Sequence, residues 1–335
     1  MAKTILITGG AGFIGSNFIR YILETSDVMV VNYDALTYAG NLENLTGVEQ
    51  NPRYSFAYGR IENTDLVRHV CKQHKVNGII NFAAETHVDR SIMNAQPFVD
   101  TNISGTLSLM TVAMELGLER FVQVSTDEVY GSLGEQGEFT EESPLAPNSP
   151  YSAAKAAADC LVRSFVHTYG FPAVITRCSN NYGAYQFPEK LIPLMILSAL
   201  EGKKLPVYGD GLNIRDWIDV RDHSAAVWLA YNHGKNGEVY NVGADSERQN
   251  IEVVRAILSL TGKSDDLITY VKDRPGHDRR YAVDSSKARR ELGWKPTANF
   301  ESGLERTVRW YQDNIEWCNR VRSGEYMNYY RKQYG

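Results

Sequence analysis

Short apolar runs alternate with amphipathic stretches through the first half of the chain. The apolar runs are bounded by turn residues, as is typical of buried strands, and cover residues 4–8, 28–34, 78–84, 120–125 and 173–179. Helical spacing of apolar positions separates them, at residues 15–24, 66–73, 99–116 and 151–169. This alternation predicts a doubly wound parallel sheet with helices on both faces.

The composition of the sequence changes after about residue 180. Pro, Gly, aromatic and charged residues mix there in loops joined by short elements. A chain of 335 residues is also long for one domain. We therefore expect a first domain over residues 1–180 and a second, smaller α/β lobe for substrate over residues 181–335. Segments near residues 215–243 are expected to rejoin the first domain.

Charge and cysteine content narrow the classes of partner. Lys plus Arg number 35 and Asp plus Glu number 40, a net charge of −5 that disfavours nucleic acid and anionic membrane as partners. The four cysteines, at positions 71, 160, 178 and 318, fit neither a zinc pattern nor a dense disulfide framework. With no signal peptide and no stretch approaching ~18 apolar residues, we expect a cytoplasmic protein without metal.

A glycine-rich turn follows the first strand. Glycines stand between the strand and a helix in two overlapping spacings: Gly10, Gly12 and Gly15 fit G-x-G-x-x-G, and Gly9, Gly12 and Gly15 fit the wider G-x-x-G-x-x-G. Glycines let the backbone approach a pyrophosphate, whose charge is met by N–H groups at the helix N-terminus. The turn predicts a dinucleotide site in a Rossmann-type domain.

The second strand ends in an acid. Asp34 lies 19 residues after Gly15, where a carboxylate can accept both ribose hydroxyls of an adenosine. A 2′-phosphate would be repelled there, and no Arg or Lys occurs in the following residues 35–41. The sequence therefore favours NAD over NADP.

Tyr151 and Lys155 are four residues apart at the start of a predicted helix, so their side chains share a face. An ammonium and a nicotinamide cation would both favour the phenolate of Tyr151, which would then act as a base near neutral pH. By itself this spacing is more often a surface Lys beside a half-buried Tyr. The upstream dinucleotide turn favours the catalytic interpretation.

The strand over residues 120–125 runs into Thr126, Asp127 and Glu128. The carboxyl ends of strands in an open α/β sheet face the ligand crevice. In a continuing strand the two acids would point to opposite faces, so the backbone must turn for both to reach one ligand. A solvated loop with a helix-capping acid is the alternative interpretation.

Together these residues resemble a known family. The segments TGGAGFIGSNF, DALTYAGN, NFAAETHVDRSI, STDEVYG, YSAAK, RCSNNYG, FPEKLIPL, RDWIDVRDH and DRPGHDRRYAVD resemble the dTDP-glucose 4,6-dehydratase family of the extended short-chain dehydrogenase/reductase superfamily. The resemblance spans essentially the whole chain. It implies an enzyme of deoxysugar biosynthesis that binds NAD and a sugar nucleotide, and that forms a homodimer.

The resemblance also implies a redox-neutral dehydration. Tyr151, aided by Thr126 and Lys155, takes the proton of the sugar 4-hydroxyl while hydride passes from C4 to NAD. Glu128 then removes the C5 proton, and protonated Asp127 donates to the departing C6 hydroxyl. Hydride returns to C6, giving the 4-keto-6-deoxy sugar. Because adjacent carboxyls must differ in protonation, we expect the pKa of Asp127 to be raised.

Ligand contacts follow from the same resemblance. Those implied for the cofactor are Gly9, Gly12, Phe13, Ile14, Gly15, Asp34, Ala35, Leu36, Thr37, Arg60, Ile61, Ala83, Ala84, Thr101, Tyr151, Lys155 and Asn181. Those implied for the substrate are Thr86, Thr126, Asn180, Lys190, Leu191, Pro206, Tyr208, Arg215, Asn250, Arg274 and His277. Three of the latter are cations that could neutralise a diphosphate.

Arg60 departs from the family pattern, which usually has Asp at this position. The resemblance therefore implies that a carboxylate facing the adenine is absent here. Two other activities remain open at this point: a sugar-nucleotide 4-epimerase or decarboxylase on the same fold, and a non-catalytic NAD-binding protein. An epimerase needs no acid to expel a C6 hydroxyl, so the acid pair at 127 and 128 favours the dehydratase. The nucleotide base, dTDP or UDP, stays open.

Overall fold

The computed structural model describes residues 2–322, which form twelve strands. Their bounds are β1 Thr4–Thr8, β2 Met29–Asp34, β3 Tyr54–Tyr58, β4 Gly78–Asn81, β5 Arg120–Thr126, β6 Ala173–Cys178, β7 Asn180–Tyr182, β8 Leu205–Tyr208, β9 Ile214–Asp219, β10 Val239–Val242, β11 Glu247–Gln249 and β12 Ile268–Val271. All five predicted strands are present, as β1, β2, β4, β5 and β6, and each begins within one residue of the expected position.

Helices connect these strands. The α-helices are α1 Phe13–Thr25, α2 Thr64–Gln73, α3 Val88–Met93, α4 Gln96–Phe98, α5 Thr106–Glu115, α6 Pro150–Tyr169, α7 Leu191–Leu200, α8 Val220–His233, α9 Asn250–Thr261, α10 Ser286–Leu292, α11 Phe300–Asp313 and α12 Ile315–Val321. Short 3₁₀ helices cover Leu42–Leu45, Asp127–Tyr130 and Asp265–Leu267, and a π-helix covers Val99–Gly105. The segment predicted as one helix over 99–116 is thus a π-helix continued by α5.

Seven strands form one parallel sheet in the order β10-β6-β5-β4-β1-β2-β3. This confirms the predicted doubly wound fold. The strand order reverses between β1 and β4, and ligands bind at such a switch point beyond the carboxyl ends of the strands. The edge strand β10 comes from beyond residue 180, so the chain returns to the first sheet.

The strand β3 was not predicted from the sequence. It lies at the opposite edge of the sheet, and all five of its residues are half-buried or exposed. An edge strand with neither face fully covered lacks the continuous apolar run by which the central strands were recognised.

The lobe is built around its own core. It contains a three-stranded sheet, β11-β9-β7, and a parallel pair of strands, β12-β8. Helices α7, α9 and α11 pack there around buried Ile192, Val253 and Leu304. Among residues 2–322, no helix is both long and apolar enough to cross a membrane.

Candidate active site

A cavity of about 300 Å³ opens at the carboxyl ends of the central strands. The glycine turn after β1, the end of β2 and the loop after β4 line one end of it. The segment that follows β5, the start of α6 and the loop after β6 line the other end. The cavity therefore lies at the switch point of the sheet, where the topology predicts a ligand.

The glycine turn is compact enough to exclude side chains. Gly9 has a φ of +68°, and a Cβ on it would lie 2.7 Å from the backbone of Ala83. A Cβ on Gly15 would lie 2.3 Å from the carbonyl oxygen of Gly9. Gly12, the N-cap of α1, has no side chain to satisfy the first N–H groups of the helix. These free N–H groups and the closely packed backbone fit a dinucleotide pyrophosphate.

Asp34 is held rigidly at the end of β2. Its Oδ2 accepts a hydrogen bond from Ala11 N at 2.9 Å, and its Oδ1 accepts one from Leu36 N at 2.8 Å. Burial raises the pKa of Asp34, and the two backbone hydrogen bonds oppose that shift. A fixed acceptor at this position fits the ribose of a dinucleotide.

A carboxylate lies beside Arg60 in the cavity wall. Although position 60 carries no acid, the Glu62 carboxylate lines the same part of the cavity. Its Oε1 accepts a hydrogen bond from Thr101 Oγ1 at 2.9 Å and lies 3.1 Å from Arg60 Nη2. A carboxylate is therefore present two residues later, because the turn after β3 brings this side chain to the cavity wall.

The backbone turns after β5, as the acid pair required. β5 ends at Thr126 and a 3₁₀ helix begins at Asp127. Thr126 Oγ1 caps this helix by accepting from Glu128 N at 3.3 Å, and it donates to Asp127 Oδ1 at 3.2 Å. Both acids consequently line one cavity.

The two acids have different surroundings. Burial raises the pKa of Asp127 well above its ordinary value, and the charge of Glu128 raises it further. This confirms the predicted direction of the pKa shift. Burial also raises the pKa of Glu128, but the positive charges of Arg274, Arg215 and Lys190 oppose that shift. The arrangement therefore favours a proton on Asp127 and a negative charge on Glu128.

Tyr151 lies in the first turn of α6, which a capping box at Ser149 and Ser152 fixes. Burial and the charge of Glu128 raise the pKa of Tyr151, while a hydrogen bond with Thr126 lowers it. Lys155 Nζ donates to Val124 O at 2.7 Å, and burial lowers the pKa of Lys155. The expectation that Lys155 and a nicotinamide cation together favour the phenolate of Tyr151 stays a prediction.

The three predicted diphosphate cations, Lys190, Arg215 and Arg274, all come from the lobe, and of these only Lys190 lines the cavity itself. Lys190 Nζ donates to Thr86 O at 3.1 Å across the cleft. Arg215 donates to Asp278 O at 2.9 Å, and its guanidinium lies 4.5 Å from the centre of a tyrosine ring. All three cations lower the pKa of Glu128, so all lie within electrostatic reach of it.

Most predicted site residues line this one cavity. They are Gly9, Gly12, Phe13, Ile14, Gly15, Asp34, Ala35, Thr37, Arg60, Ile61, Ala83, Ala84, Thr86, Thr101, Thr126, Asp127, Glu128, Tyr151, Lys155, Asn180, Asn181 and Lys190. Leu36 contributes its N–H to Asp34 from just outside the lining. The lobe residues Leu191, Pro206, Tyr208, Arg215, Asn250, Arg274 and His277 lie outside the cavity lining.

Sequence reasoning missed a buried network behind the cavity. Arg177 Nε donates to Asp159 Oδ2 at 2.9 Å, and its Nη1 donates to Tyr130 OH at 2.9 Å. Asp159 lies one helical turn after Lys155, and Tyr130 ends the 3₁₀ helix that carries the acid pair. The only sequence signal was an Arg within an otherwise apolar strand, because a buried cation needs a partner.

Comparisons with known proteins agree with this geometry. The sequence profile of the GDP-mannose 4,6 dehydratase family matches residues 6–307. The dTDP-glucose 4,6-dehydratase of Neisseria meningitidis serogroup B is 51% identical, over 97% of this chain and 97% of that protein.

Two solved structures share the fold. The dTDP-glucose 4,6-dehydratase of Bacillus anthracis in complex with NAD has a TM-score of 0.91 and 51% identity, covering 96% of this chain and 100% of its own. DesIV of Streptomyces venezuelae, a dTDP-glucose 4,6-dehydratase with NAD and dTDP bound, has a TM-score of 0.92 and 46% identity, covering 95% and 99%.

Proposed function

The chain belongs to the dTDP-glucose 4,6-dehydratase family, and from this premise we propose that it converts dTDP-glucose into dTDP-4-keto-6-deoxyglucose and water. It is an NAD-dependent hydro-lyase. The observation that carries this proposal is the convergence of Asp127, Glu128 and Tyr151 on one cavity, beside a glycine turn suited to a dinucleotide. A 4-epimerase would have no use for the acid pair.

Bound NAD would supply a hydride acceptor for C4 of the sugar and a hydride donor for C6. The chain's own residues bind and orient it: the turn at Gly9, Gly12 and Gly15 accommodates the pyrophosphate, and Asp34 accepts from the ribose. Glu62 and Arg60 lie at the same end of the cavity, where we propose that they contact the adenine.

Tyr151 acts as the base in the oxidation at C4. Its phenol oxygen takes the proton of the 4-hydroxyl, and the Thr126 hydroxyl is hydrogen-bonded to it. Burial and the charge of Glu128 raise the pKa of Tyr151, so positively charged groups in the site with bound cofactor must lower this pKa again for the phenol to act as a base. Lys155, anchored on Val124 O, holds its positive charge in the same wall of the cavity.

The acid pair performs the elimination. A carbonyl at C4 acidifies the hydrogen on C5, and the Glu128 carboxylate removes it as a proton. Asp127 donates its proton to the C6 hydroxyl, which leaves as water. The environments of the two carboxyls set these roles, since Asp127 is buried beside another acid whereas three cations face Glu128.

The site must regain its starting protonation before the next turnover. Glu128 is deprotonated again when a proton is restored to C5, but Tyr151 ends the cycle protonated and Asp127 ends it deprotonated. One proton must therefore pass from Tyr151 to Asp127 in every turnover. The Thr126 hydroxyl donates to Asp127 Oδ1 at 3.2 Å and also lowers the pKa of Tyr151, and we propose that it conducts this transfer.

The sugar nucleotide is held mainly from the lobe. We propose that Lys190, Arg215 and Arg274 neutralise its diphosphate, which a chain of net charge −5 would otherwise repel. The remaining substrate contacts are proposed to be Thr86, Asn180, Leu191, Pro206, Tyr208, Asn250 and His277. Asn180 Oδ1 and Asn250 Oδ1 are buried without a hydrogen-bond partner within residues 2–322, which leaves both available to a ligand.

One incubation tests the function. The purified enzyme with NAD and dTDP-glucose in deuterated water, followed by NMR, should give a 4-keto-6-deoxy product with deuterium at C5 and little net NADH. UDP-glucose as a parallel substrate tests the choice of base. A product epimerised at C4 that keeps its C6 hydroxyl would refute the proposal, as would the absence of any turnover.

We also propose a cytoplasmic homodimer with a dinucleotide-binding domain over residues 1–180. The four cysteines are free thiols, as is typical of reducing compartments. Apolar Leu107 and Met114 are exposed on α5, and Cys160, Arg163, Ser164 and His167 line a hollow on α6. These helices are the proposed dimer surface, and their pairing is testable by sedimentation of a variant with Met114→Glu.

A further inference from the structure

Asp89 is a carboxylate in the cleft between the first domain and the lobe that the proposed chemistry leaves without a role. It lies in the first turn of α3, in the segment that follows β4. Its Oδ1 is 3.7 Å from Arg274 Nη1, and its Oδ2 accepts from Tyr208 OH at 3.3 Å. Both partners belong to the lobe and to the proposed substrate contacts. Asp89 of the first domain therefore contacts two residues of the lobe that are proposed to bind the substrate.

The contact with Arg274 is an ion pair without a hydrogen bond. A separation of 3.7 Å exceeds the range of about 2.7–3.2 Å for N–H···O bonds. Across residues 2–322, both Asp89 Oδ1 and Arg274 Nε are buried atoms with no hydrogen-bond partner. Unpaired buried donors are costly, and phosphate oxygens form short, charge-assisted bonds with guanidinium groups. Arg274 is thus poised to exchange the Asp89 carboxylate for a phosphate.

The negative charge of Asp89 also affects how strongly Arg274 can bind an anion. The side chains of Arg274 and Asp89 are only 19% and 13% exposed, so solvent screens their interaction weakly. A diphosphate that binds Arg274 must both displace this carboxylate and remain close to its negative charge. Asp89 therefore opposes the binding of an anion that Lys190, Arg215 and Arg274 favour.

We propose that Asp89 sets the affinity of the cleft for nucleoside diphosphates, serving as the counter-ion of Arg274 until the sugar nucleotide replaces it. Substrate and product carry the same diphosphate, so the carboxylate also limits retention of product. This role rests on the proposed function, because it requires Arg274 to contact the diphosphate. Asp89 is a positioning residue here, since it acts through Arg274.

The test is calorimetric titration of the NAD-loaded enzyme with dTDP. Asp89→Asn should tighten binding about three- to tenfold, the effect expected from one partly screened charge. The KM for dTDP-glucose should fall in parallel, and binding should weaken more steeply with added salt. The matched control is Asp65→Asn: Asp65 also lies in a helix's first turn beside an arginine, but its side chain is 95% exposed. That change should leave affinity unaltered.

A double-mutant cycle of Asp89 and Arg274 distinguishes this role from a purely structural one. Arg274→Gln should weaken dTDP binding, and adding Asp89→Asn to it should change affinity by about twofold or less, because the shared partner is gone. An Asp89→Asn enzyme that binds dTDP like the wild type, or more weakly, would overturn the proposal. So would equal tightening in the Arg274→Gln background. A wild-type enzyme that neither binds dTDP nor dehydrates dTDP-glucose refutes the proposed function, and this role with it.

Discussion

Replacing Asp127 with Asn removes the proposed proton donor and conserves its shape. The Oδ1 of Asn can still accept the hydrogen bond that Thr126 Oγ1 donates at 3.2 Å. The amide cannot release a proton near neutral pH, however. A positioned general acid accelerates a reaction by about 10²–10⁴-fold, or about 3–5 kcal/mol at about 1.36 kcal/mol per tenfold. We expect dehydration to slow by that factor and C4 oxidation to change much less.

Rapid mixing of NAD-loaded enzyme with dTDP-glucose measures the two steps separately. NADH absorbance should rise at nearly the wild-type rate in Asp127→Asn and then persist, because elimination fails. In deuterated water Glu128 should still exchange the C5 hydrogen while the C6 hydroxyl stays in place. Glu128→Gln is the matched variant, in which NADH should form without that exchange. Dehydration at the wild-type rate in Asp127→Asn, or an equal loss of both steps, would refute the assignment.

The pH dependence of the same residue gives an independent check. The pKa of Asp127 is raised in the folded protein, mainly by burial, so the unfolded chain loses this proton at lower pH than the folded one. The group therefore costs stability increasingly as pH rises from its ordinary pKa of 3.8 through the raised value. Asp127→Asn should accordingly unfold at a higher temperature than wild type at neutral pH. The difference should vanish as the pH approaches 3.8, and an unchanged difference would contradict the raised pKa.

Two further predictions concern the scaffold. Arg177→Met should lower the free energy of unfolding by about 3–5 kcal/mol in urea titration, because it leaves Asp159 buried without its cation. The control is Arg68→Met, which removes the arginine of a surface ion pair and should leave the midpoint of urea unfolding nearly unchanged. Gly15→Ala should destabilise the fold itself, since its Cβ would lie 2.3 Å from the carbonyl oxygen of Gly9. A Cβ at Gly12 would lie 3.3 Å from the same oxygen, so Gly12→Ala should fold and lose mainly affinity for NAD, measured by fluorescence titration. Equal stability of the two glycine variants would contradict this distinction.

Local sequence patterns predicted the parallel sheet, the glycine turn and the ribose acid, and the resemblance to the family implied most of the remaining cavity lining. Central strands are apolar on both faces, so their runs stand out, and the glycine turn is a local feature between one strand and one helix. The break after Thr126 was also predictable, because only a turn lets two successive acids face one ligand. The edge strand β3 was missed because water covers part of it and no apolar run marks it.

The sequence by itself determined which residue types meet at the switch point: a glycine turn, a ribose acid, a tyrosine and two carboxyls on consecutive segments. The resemblance implied that Asp127 keeps its proton, but only the tertiary structure supplies the cause, because burial and cations contributed by the distant lobe set the two carboxyl groups apart. The tertiary structure also decided that Glu62 reaches the cavity, and that Asp89 pairs with Arg274, 185 residues later in the chain. Local pattern reports the neighbours of a residue along the chain, whereas charge and solvation act through space.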